Sequence, residues 1–301
     1  MGNVVGRFAP TPSGRMHLGN VFAALIAWLS VRSQKGELVL RMEDLDTQRT
    51  SNDFAEVLRE DLLWLGLDWD AETPPQSQRT AVYDRYFEKL MDEGLLYPCY
   101  CTRSQLHSVN APHLSDGTYV YPGTCRNLTE VPADRKPAWR VIVPDKEWFF
   151  HDFCQGDYSL NLATGCGDMV VRRADGVYVY QLAVTVDDGE AGITEVVRGM
   201  DLLSSAPRQM FLQETLGFHH PAYGHVPMLL APDGRRLSKR DKDLDLGVLR
   251  QRLKPEGLIG TLAFAAGLTE KNIPISAAEL AHHFSWENLR GEAIFLDSSS
   301  L

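Results

Sequence analysis

The sequence predicts an α/β protein organised on a parallel β-sheet, and three observations carry that reading. An apolar strand-like run at Val4 and Val5, a Pro- and Gly-rich turn, a helix-like apolar run over 21–31 and a second strand-like run over 37–44 follow one another directly. Strand, helix, strand at that spacing is a βαβ unit, which joins parallel strands by a right-handed crossover. From Pro98 the pattern breaks into a cysteine-bearing segment rich in Gly, Pro and Ser, and from residue 244 only short helical periods remain. An α/β core with an insertion and a small helical tail accounts for all three.

The opening turn carries the first chemistry. Between Arg7 and Asn20 prolines and glycines forbid regular structure, while His17 and Asn20 arrive where the helix begins. Free N–H groups and the dipole at a helix N-terminus attract anions, so this turn suits a phosphate or a nucleotide. Ligands of parallel sheets bind at the carboxyl ends of the strands, which places Arg7, Glu43, Asp44 and the His17 helix start along one rim.

The following elements read as scaffold. Ser51 or Asn52 caps a helix in which Phe54, Val57, Leu58, Leu62 and Leu63 recur at helical spacing up to Gly66, and a second amphipathic helix over 80–93 stops at Gly94. Residues 138–143, 147–151 and 168–173 read as extended, and Ala174-Asp175-Gly176 with 177–180 reads as a hairpin. The apolar run Leu182-Ala183-Val184 is closed by Asp187-Asp188-Gly189, a strand over 193–197 ends at Arg198, and Ser204 or Ser205 caps a helix running to Leu216. Residues 226–230 resemble the last strand of the sheet, and Asp233 opens a turn that merges into a basic loop ending at Arg240. Helices are expected over 244–253, 255–266 and 276–284.

Composition narrows the function classes. A chain of 301 residues with 44% hydrophobic and 23% charged residues has the length and balance of a soluble protein with a real core. It contains no run of about 18 apolar residues and no basic-then-apolar leader, so a cytoplasmic protein without a membrane partner is expected. The net charge of −10 argues against indiscriminate nucleic-acid binding. Charge is unevenly spread, however. Residues 1–36 carry Arg7, Arg15, Arg32 and Lys35 without an acid, and residues 233–256 carry eight Lys or Arg against five Asp or Glu. Such segments suit a polyanion received in one orientation.

Of the five cysteines, Cys99, Cys101 and Cys125 crowd together, whereas Cys154 and Cys166 stand apart and read as small core residues. Three thiolates at this spacing could hold a tetrahedral ion, zinc being the expected metal. His107, His113, Tyr119 and Tyr121 are all available as the fourth ligand.

With these residues in view, the sequence resembles the class I aminoacyl-tRNA synthetases in their glutamate-specific form. The stretch from Arg7 through Ser13 and Gly14, followed by His17-Leu18-Gly19-Asn20, is similar to the HIGH region of that family, and Arg236-Leu237-Ser238-Lys239-Arg240 to its KMSKS loop. Glu43-Asp44-Leu45-Asp46, the segment from Trp64 to Asp70, Tyr180-Gln181-Leu182-Ala183 and Asp187-Asp188 follow in the family's order, so the resemblance covers roughly residues 3–245. Full glutamyl-tRNA synthetases continue into a long helical anticodon-binding region after the KMSKS loop. This chain has a short tail there and most resembles the truncated branch, the glutamyl-queuosine tRNA(Asp) synthetases. Their Cys-x-Cys, Tyr-x-x-x-Cys zinc pattern is matched by Cys99, Cys101, Tyr121 and Cys125.

The resemblance implies a Rossmann-like catalytic domain split into 1–98 and 166–243, an insertion over 99–165 with a zinc knuckle and an acceptor-binding-like segment, and a helical tail over 244–301. It implies ATP-dependent activation of L-glutamate as the adenylate and its transfer to the queuosine base at the wobble position of tRNA(Asp), by a monomer. A compact glutamyl-tRNA synthetase charging the 3′ end of tRNA(Glu) is the alternative. His17 and Lys239 are then the catalytic residues, with His17, Gly19, Asn20, Lys239 and Arg240 on ATP, which enters with Mg²⁺. Arg7, Ala9, Ser13, Glu43, Tyr180 and Arg198 would bind glutamate, since arginine suits a carboxylate and an acid suits the ammonium. One structural Zn²⁺ per chain would rigidify the insertion, and Arg250, Arg252 and Lys254 are candidate tRNA contacts.

Overall fold

The computed structural model describes residues 3–108, 120–130, 132–235 and 245–296. The chain opens with β1 (Val5–Phe8), α1 (Leu18–Ser33) and β2 (Glu37–Leu40), the expected βαβ unit, with β1 and β2 parallel and Arg7 opposite Val39. Helix α1 has no amphipathic stripe: it is buried nearly all round from Leu18 to Val31, because the sheet covers one side and the tail the other. Next come α2 (Asn52–Trp64), the short β3 (Ala71–Glu72) and α3 (Thr80–Asp92). Ser51 caps α2, accepting a hydrogen bond from the Phe54 amide at 3.2 Å. The buried face of α2 is Ala55, Leu58, Asp61 and Leu62, while Phe54 and Leu63 turn outward. Apolar spacing alone mistook that face because an aspartate sits on it.

Beyond α3 lie β4 (Leu96–Cys99), α4 (Arg103–Ser108), β5 (Ala138–Val141), β6 (Glu147–Asp152), β7 (Gly156–Asn161), α5 (Leu162–Gly165) and β8 (Met169–Arg172). Strands β4, β5 and β8 form a separate antiparallel sheet, but β6 and β7 do not stay with them. The residues assigned to one insertion over 99–165 therefore divide between two sheets. Strand β6 alternates strictly, burying Trp148, Phe150 and Asp152; it joins the main sheet edge-on beside the strand that carries Tyr223, and its buried aromatic face packs into the core with Phe211.

The second half supplies α6 (Tyr180–Glu190), β9 (Glu195–Gly199), α7 (Ser205–Leu216), β10 (Ala222–Val226) and the short β11 (Leu229–Leu230). The hairpin expected at 174–180 shrinks to a turn with one bridge, Arg172 to Tyr178, because Tyr180 already starts α6. Asp187 and Asp188, expected to close an apolar run, lie inside that helix, and the helix is buried from Leu182 to Asp188, so no period marks it. The last strand of the sheet is β10, not 226–230: Pro227 has no N–H to continue the ladder, and Leu229 and Leu230 pair elsewhere.

The seven-stranded sheet runs β3-β2-β1-β9-β10-β6-β7, parallel except for β7. Connections leave β1 toward β2 on one side and β9 toward β10 on the other, so the order reverses between β1 and β9. Grooves at such a reversal are where open α/β sheets bind ligands. One core lies around α1 and a second on the opposite face, under α3, α6 and α7.

The tail does not hang free. Helices α8 (Leu246–Arg252), α9 (Pro255–Ala265) and α10 (Ala277–Ala281) put Leu249, Leu258, Leu262 and Leu280 into the same core as α1, and β12 (Ile294–Phe295) pairs with β11. Pro255 opens α9, and Ser276 with Glu279 forms a capping box on α10. Trp286 donates its indole N–H to Ser30 Oγ on α1 at 3.0 Å, and Ser30 donates to the buried Glu195 at 2.6 Å.

Candidate active site

Six segments of the chain meet in one cleft of about 520 Å³ at the carboxyl ends of β1 and β9. Arg7, Ala9, Ser13, Glu43, Tyr180 and Arg198, the whole set expected for glutamate, line it together with His17, Gly19 and Asn20. These residues are up to 191 positions apart in the chain, and the parallel strands bring them to one rim. The turn that connects β1 to α1 is held by backbone hydrogen bonds to the β2 side: the amides of Arg41, Glu43 and Ser51 donate to the carbonyls of Phe8, Pro10 and Pro12 at 3.0, 2.9 and 3.1 Å. Glu43 is thereby carried to the cleft wall.

His17 caps α1 with extended backbone, and no acidic residue lies in the first helical turn to neutralise its N–H groups. Gly19 leaves room for the His17 ring: a Cβ there would stand 3.1 Å from it, a tight contact to which the ring would have to yield. The start of α8 closes the same turn from outside, since Asp245 bridges His17 and the Leu246 amide donates to Met16. Asp61, with no exposed surface, gathers Arg15 of the turn and Arg250 of α8 at 3.3 and 2.6 Å. Arg250 is thus engaged within the chain. Lys239 and Arg240 lie outside the described residues, as do His113 and Tyr119.

Beneath the cleft is a charged floor that sequence reasoning did not identify. Arg41 is wholly buried, with its Nη1 donating to Asp188 at 2.6 Å, Nη2 to Glu43 at 3.2 Å and its Nε 3.7 Å from Asp187. Arg7 Nε lies 3.5 Å from Asp188, and Arg7 Nη1 donates to the Val197 carbonyl at 3.1 Å. Burial pushes the Asp188 carboxyl up, but Arg41 and Arg7 outweigh it and hold Asp188 below the usual carboxylate range. For Glu43 the balance goes the other way: burial prevails over Arg41 and Arg7, and its pKa is raised. An ammonium brought beside Glu43 would favour its charged form. Gln76, Arg79 and Tyr83 complete the floor by donating to Asp187 at 2.8, 2.7 and 3.0 Å.

Arg198 faces the cleft from β9. Its Nε donates to His225 Nε2 at 3.0 Å, Nη1 to Gln209 Oε1 at 2.8 Å and to the Tyr180 hydroxyl at 3.4 Å, and Nη2 to the Leu202 carbonyl at 3.3 Å. All four acceptors are neutral, and among the described residues no carboxylate forms an ion pair with it. An arginine that is 6% exposed and has its charge unpaired is prepared for an anionic ligand. The signal for His225 in the sequence was a polar residue at an inward position of a strand, which periodicity discards.

Beside the end of β4, the Sγ atoms of Cys99, Cys101 and Cys125 lie within 4.8 Å of one another, and the Tyr121 hydroxyl sits 3.4 Å from Cys99 and 3.6 Å from Cys101. Cys101 and Cys125 are 3.5 Å apart. Zinc–sulfur bonds of about 2.3 Å give tetrahedral edges of about 3.8 Å, so three thiols and a phenol at these separations fit a tetrahedral ion. The described cluster can bind a metal, and the Arg140 guanidinium, 3.6 Å from the Tyr121 ring centre and 3.2 Å from Cys99, favours anionic donors. Gly167 makes the approach possible. Its φ is +64°, and a Cβ would fall 2.1 Å from the Tyr121 carbonyl, while Tyr121 donates its amide to Cys166. Asp168 ties the segment down, accepting from Tyr97 at 2.7 Å and from Arg126 at 2.5 Å. Cys166 is buried, as expected, whereas Cys154 is half-buried at the edge of the core around α1.

Among known proteins, the family described as tRNA synthetases class I (E and Q), catalytic domain, matches residues 3–288. The Glutamyl-Q tRNA(Asp) synthetase of Symbiobacterium thermophilum is 44% identical over 316 aligned residues, covering 98% of this chain and 97% of that protein. Its namesakes in Nitratidesulfovibrio vulgaris and Thiobacillus denitrificans are 45% and 47% identical, over 89% and 79% of this chain and 88% and 78% of their own. In structure, a glutamate tRNA ligase from Elizabethkingia meningosepticum, solved in complex with its amino acid, superposes with a TM-score of 0.84 at 28% identity, over 99% of this chain and 68% of that one. No described helix is long and apolar enough to cross a membrane. With a family match across nearly the whole length and relatives that align over almost all of both chains, this chain belongs to the class I tRNA synthetases of the E and Q group, alongside the glutamyl-Q tRNA(Asp) synthetases.

Proposed function

We propose that the cleft activates L-glutamate with ATP and passes the glutamyl group to the queuosine base in the anticodon of tRNA(Asp). The observation that supports it best is the convergence of Arg7, Ala9, Ser13, Glu43, Tyr180 and Arg198 on one cleft with the N-terminus of α1. Near-full-length similarity to proteins named for that acceptor supports the choice of tRNA. In this reading Glu43 holds the ammonium of glutamate and Arg198 a carboxylate, with Tyr180 between them and Ser13 and Ala9 along the turn. Arg7, tethered through Asp188, adds positive potential.

The α-carboxylate then attacks the α-phosphorus of ATP and pyrophosphate leaves. Negative charge grows on the phosphoryl oxygens; His17 and the backbone around Gly19 and Asn20 stabilise it, and Lys239 with Arg240 supply positive charge. ATP enters with Mg²⁺, which offsets phosphate charge and is carried by the nucleotide rather than by a protein cage. The thiols of Cys99, Cys101 and Cys125 with Tyr121 would hold one Zn²⁺, which would supply a rigid cross-link to the segment rather than chemistry on the substrate. The protein acts as a cytoplasmic monomer.

Incubation with labelled glutamate, ATP and total tRNA, with and without queuosine, tests the acceptor. Queuosine-dependent labelling is expected; labelling that ignores queuosine would turn the reading to 3′-end charging of tRNA(Glu), and no labelling would end it. Lys239→Ala should slow glutamate-dependent pyrophosphate exchange by about 100-fold or more at unchanged glutamate binding.

A further inference from the structure

Three neighbouring parallel strands, β6, β10 and β9, each contribute one side chain to a straight line that ends in the cleft: Asp152, His225 and Arg198. The register makes this possible, since His225 and Arg198 are direct partners across β10 and β9, and β6 meets β10 at Asp152 and Tyr223. His225 has no exposed surface and Asp152 is 1% exposed. Neither residue lines the cleft.

The hydrogen bonds of the line leave one protonation pattern. Asp152 Oδ1 accepts the amides of His225, Cys154 and Gln155 at 3.0, 3.0 and 2.9 Å, so the carboxylate cannot rotate. Its Oδ2, which shares the His225 amide at 3.1 Å, is 2.6 Å from His225 Nδ1 and accepts a hydrogen bond from that N–H. With the proton on Nδ1, Nε2 presents a lone pair, and Arg198 Nε–H donates into it at 3.0 Å. Burial, the chief cause, lowers the His225 pKa to about 4, which keeps the ring neutral even though Asp152 pulls the other way. The ring is further clamped by Tyr223, stacked at 6.0 Å.

We infer that His225 and Asp152 are positioning residues for Arg198, fixing its guanidinium to receive a glutamate carboxylate without placing a competing charge beside it. A carboxylate in direct contact with Arg198 would hold it equally well but would neutralise it. A neutral imidazole whose tautomer is set from behind orients the arginine and leaves its charge to the ligand. The inference rests on the proposed role of Arg198 in binding glutamate.

Steady-state pyrophosphate exchange, with KM for glutamate and for ATP measured separately, distinguishes the two. Because three amides hold Oδ1, Asp152→Asn must place its carbonyl there and its NH2 toward His225. That moves the ring proton to Nε2 and sets it against Arg198 Nε–H. Asp152→Asn and His225→Ala should each raise the glutamate KM about tenfold with the ATP KM within about twofold. His225→Gln, whose amide oxygen can stand where Nε2 stood, should recover most of the loss. Nitrogen NMR of the wild-type His225 ring should show Nδ1 protonated and Nε2 bare between about pH 6 and 8, a readout independent of activity and of how any variant folds. An Nε2-protonated ring, or an unchanged glutamate KM in folded Asp152→Asn beside a raised one in Arg198→Ala, overturns the relay. An unchanged glutamate KM in Arg198→Ala overturns the underlying assignment instead.

Discussion

Arg41 and Asp188 meet at 2.6 Å beneath the cleft, the arginine wholly buried and the aspartate 4% exposed. The pair joins β2 to α6 and, through Arg7, to β1, so the cleft floor is one electrostatic unit. Buried pairs are expensive to break because the remaining ion has no water to turn to. Asp188→Ala should therefore cost about 3–5 kcal/mol of unfolding free energy, and urea denaturation measures it. A cost under about 1 kcal/mol would mean the floor is solvated or reorganises freely.

Glu43 must be ionised to hold an ammonium, and burial has raised its pKa. Glutamate KM should thus rise as pH falls through a range above that of an ordinary glutamate side chain, while the KM for ATP stays level. Glu43→Gln should bind glutamate weakly with the pH dependence flattened. A wild-type KM for glutamate that does not change with pH would remove Glu43 from the ammonium site.

His225 has a folded pKa of about 4 against 6.5 for a free imidazole. Between those values the unfolded chain binds the additional proton, so stability falls as pH drops from 6.5 to 4 and the contribution is complete above 6.5. Asp152 and Arg198 face the ring directly, and Arg7 adds a weaker positive field. His225→Gln should show a shallower loss of stability across that window than wild type, read by chemical denaturation at each pH; parallel slopes would mean that the ring is not held neutral.

Metal analysis of protein purified without chelator should give about one zinc per chain. Cys99→Ser or Cys125→Ser should lose it, and chelation of wild type should lower the melting temperature by several degrees while glutamate-dependent exchange persists at reduced temperature, because no residue of the cluster lines the cleft. Full metal content in Cys99→Ser would exclude that thiol from the site.

The turn from Arg7 to Asn20 was readable from sequence because its chemistry is local. Prolines and glycines interrupt a strand and a helix, and the helix start binds anions wherever it is placed. The same holds for the cysteine cluster, where identity and spacing carry the signal, and for the βαβ opening, written in apolar runs. Helix α6 was left as an unassigned apolar run and strand β10 was placed a few residues too late, because both are largely buried, which erases the period that distinguishes helix from strand. Asp188, His225 and Asp152 could not be recognised one at a time: each looks like an ordinary polar residue until parallel pairing puts β6, β10 and β9 side by side and the sheet reverses direction at β1. The sequence by itself singled out groups whose chemistry suits a nucleotide, an amino acid and a metal. Tertiary structure decided which of them share a cleft and which partners leave Arg198 oriented and unpaired, because burial and strand register, not residue type, set the charge state of each group.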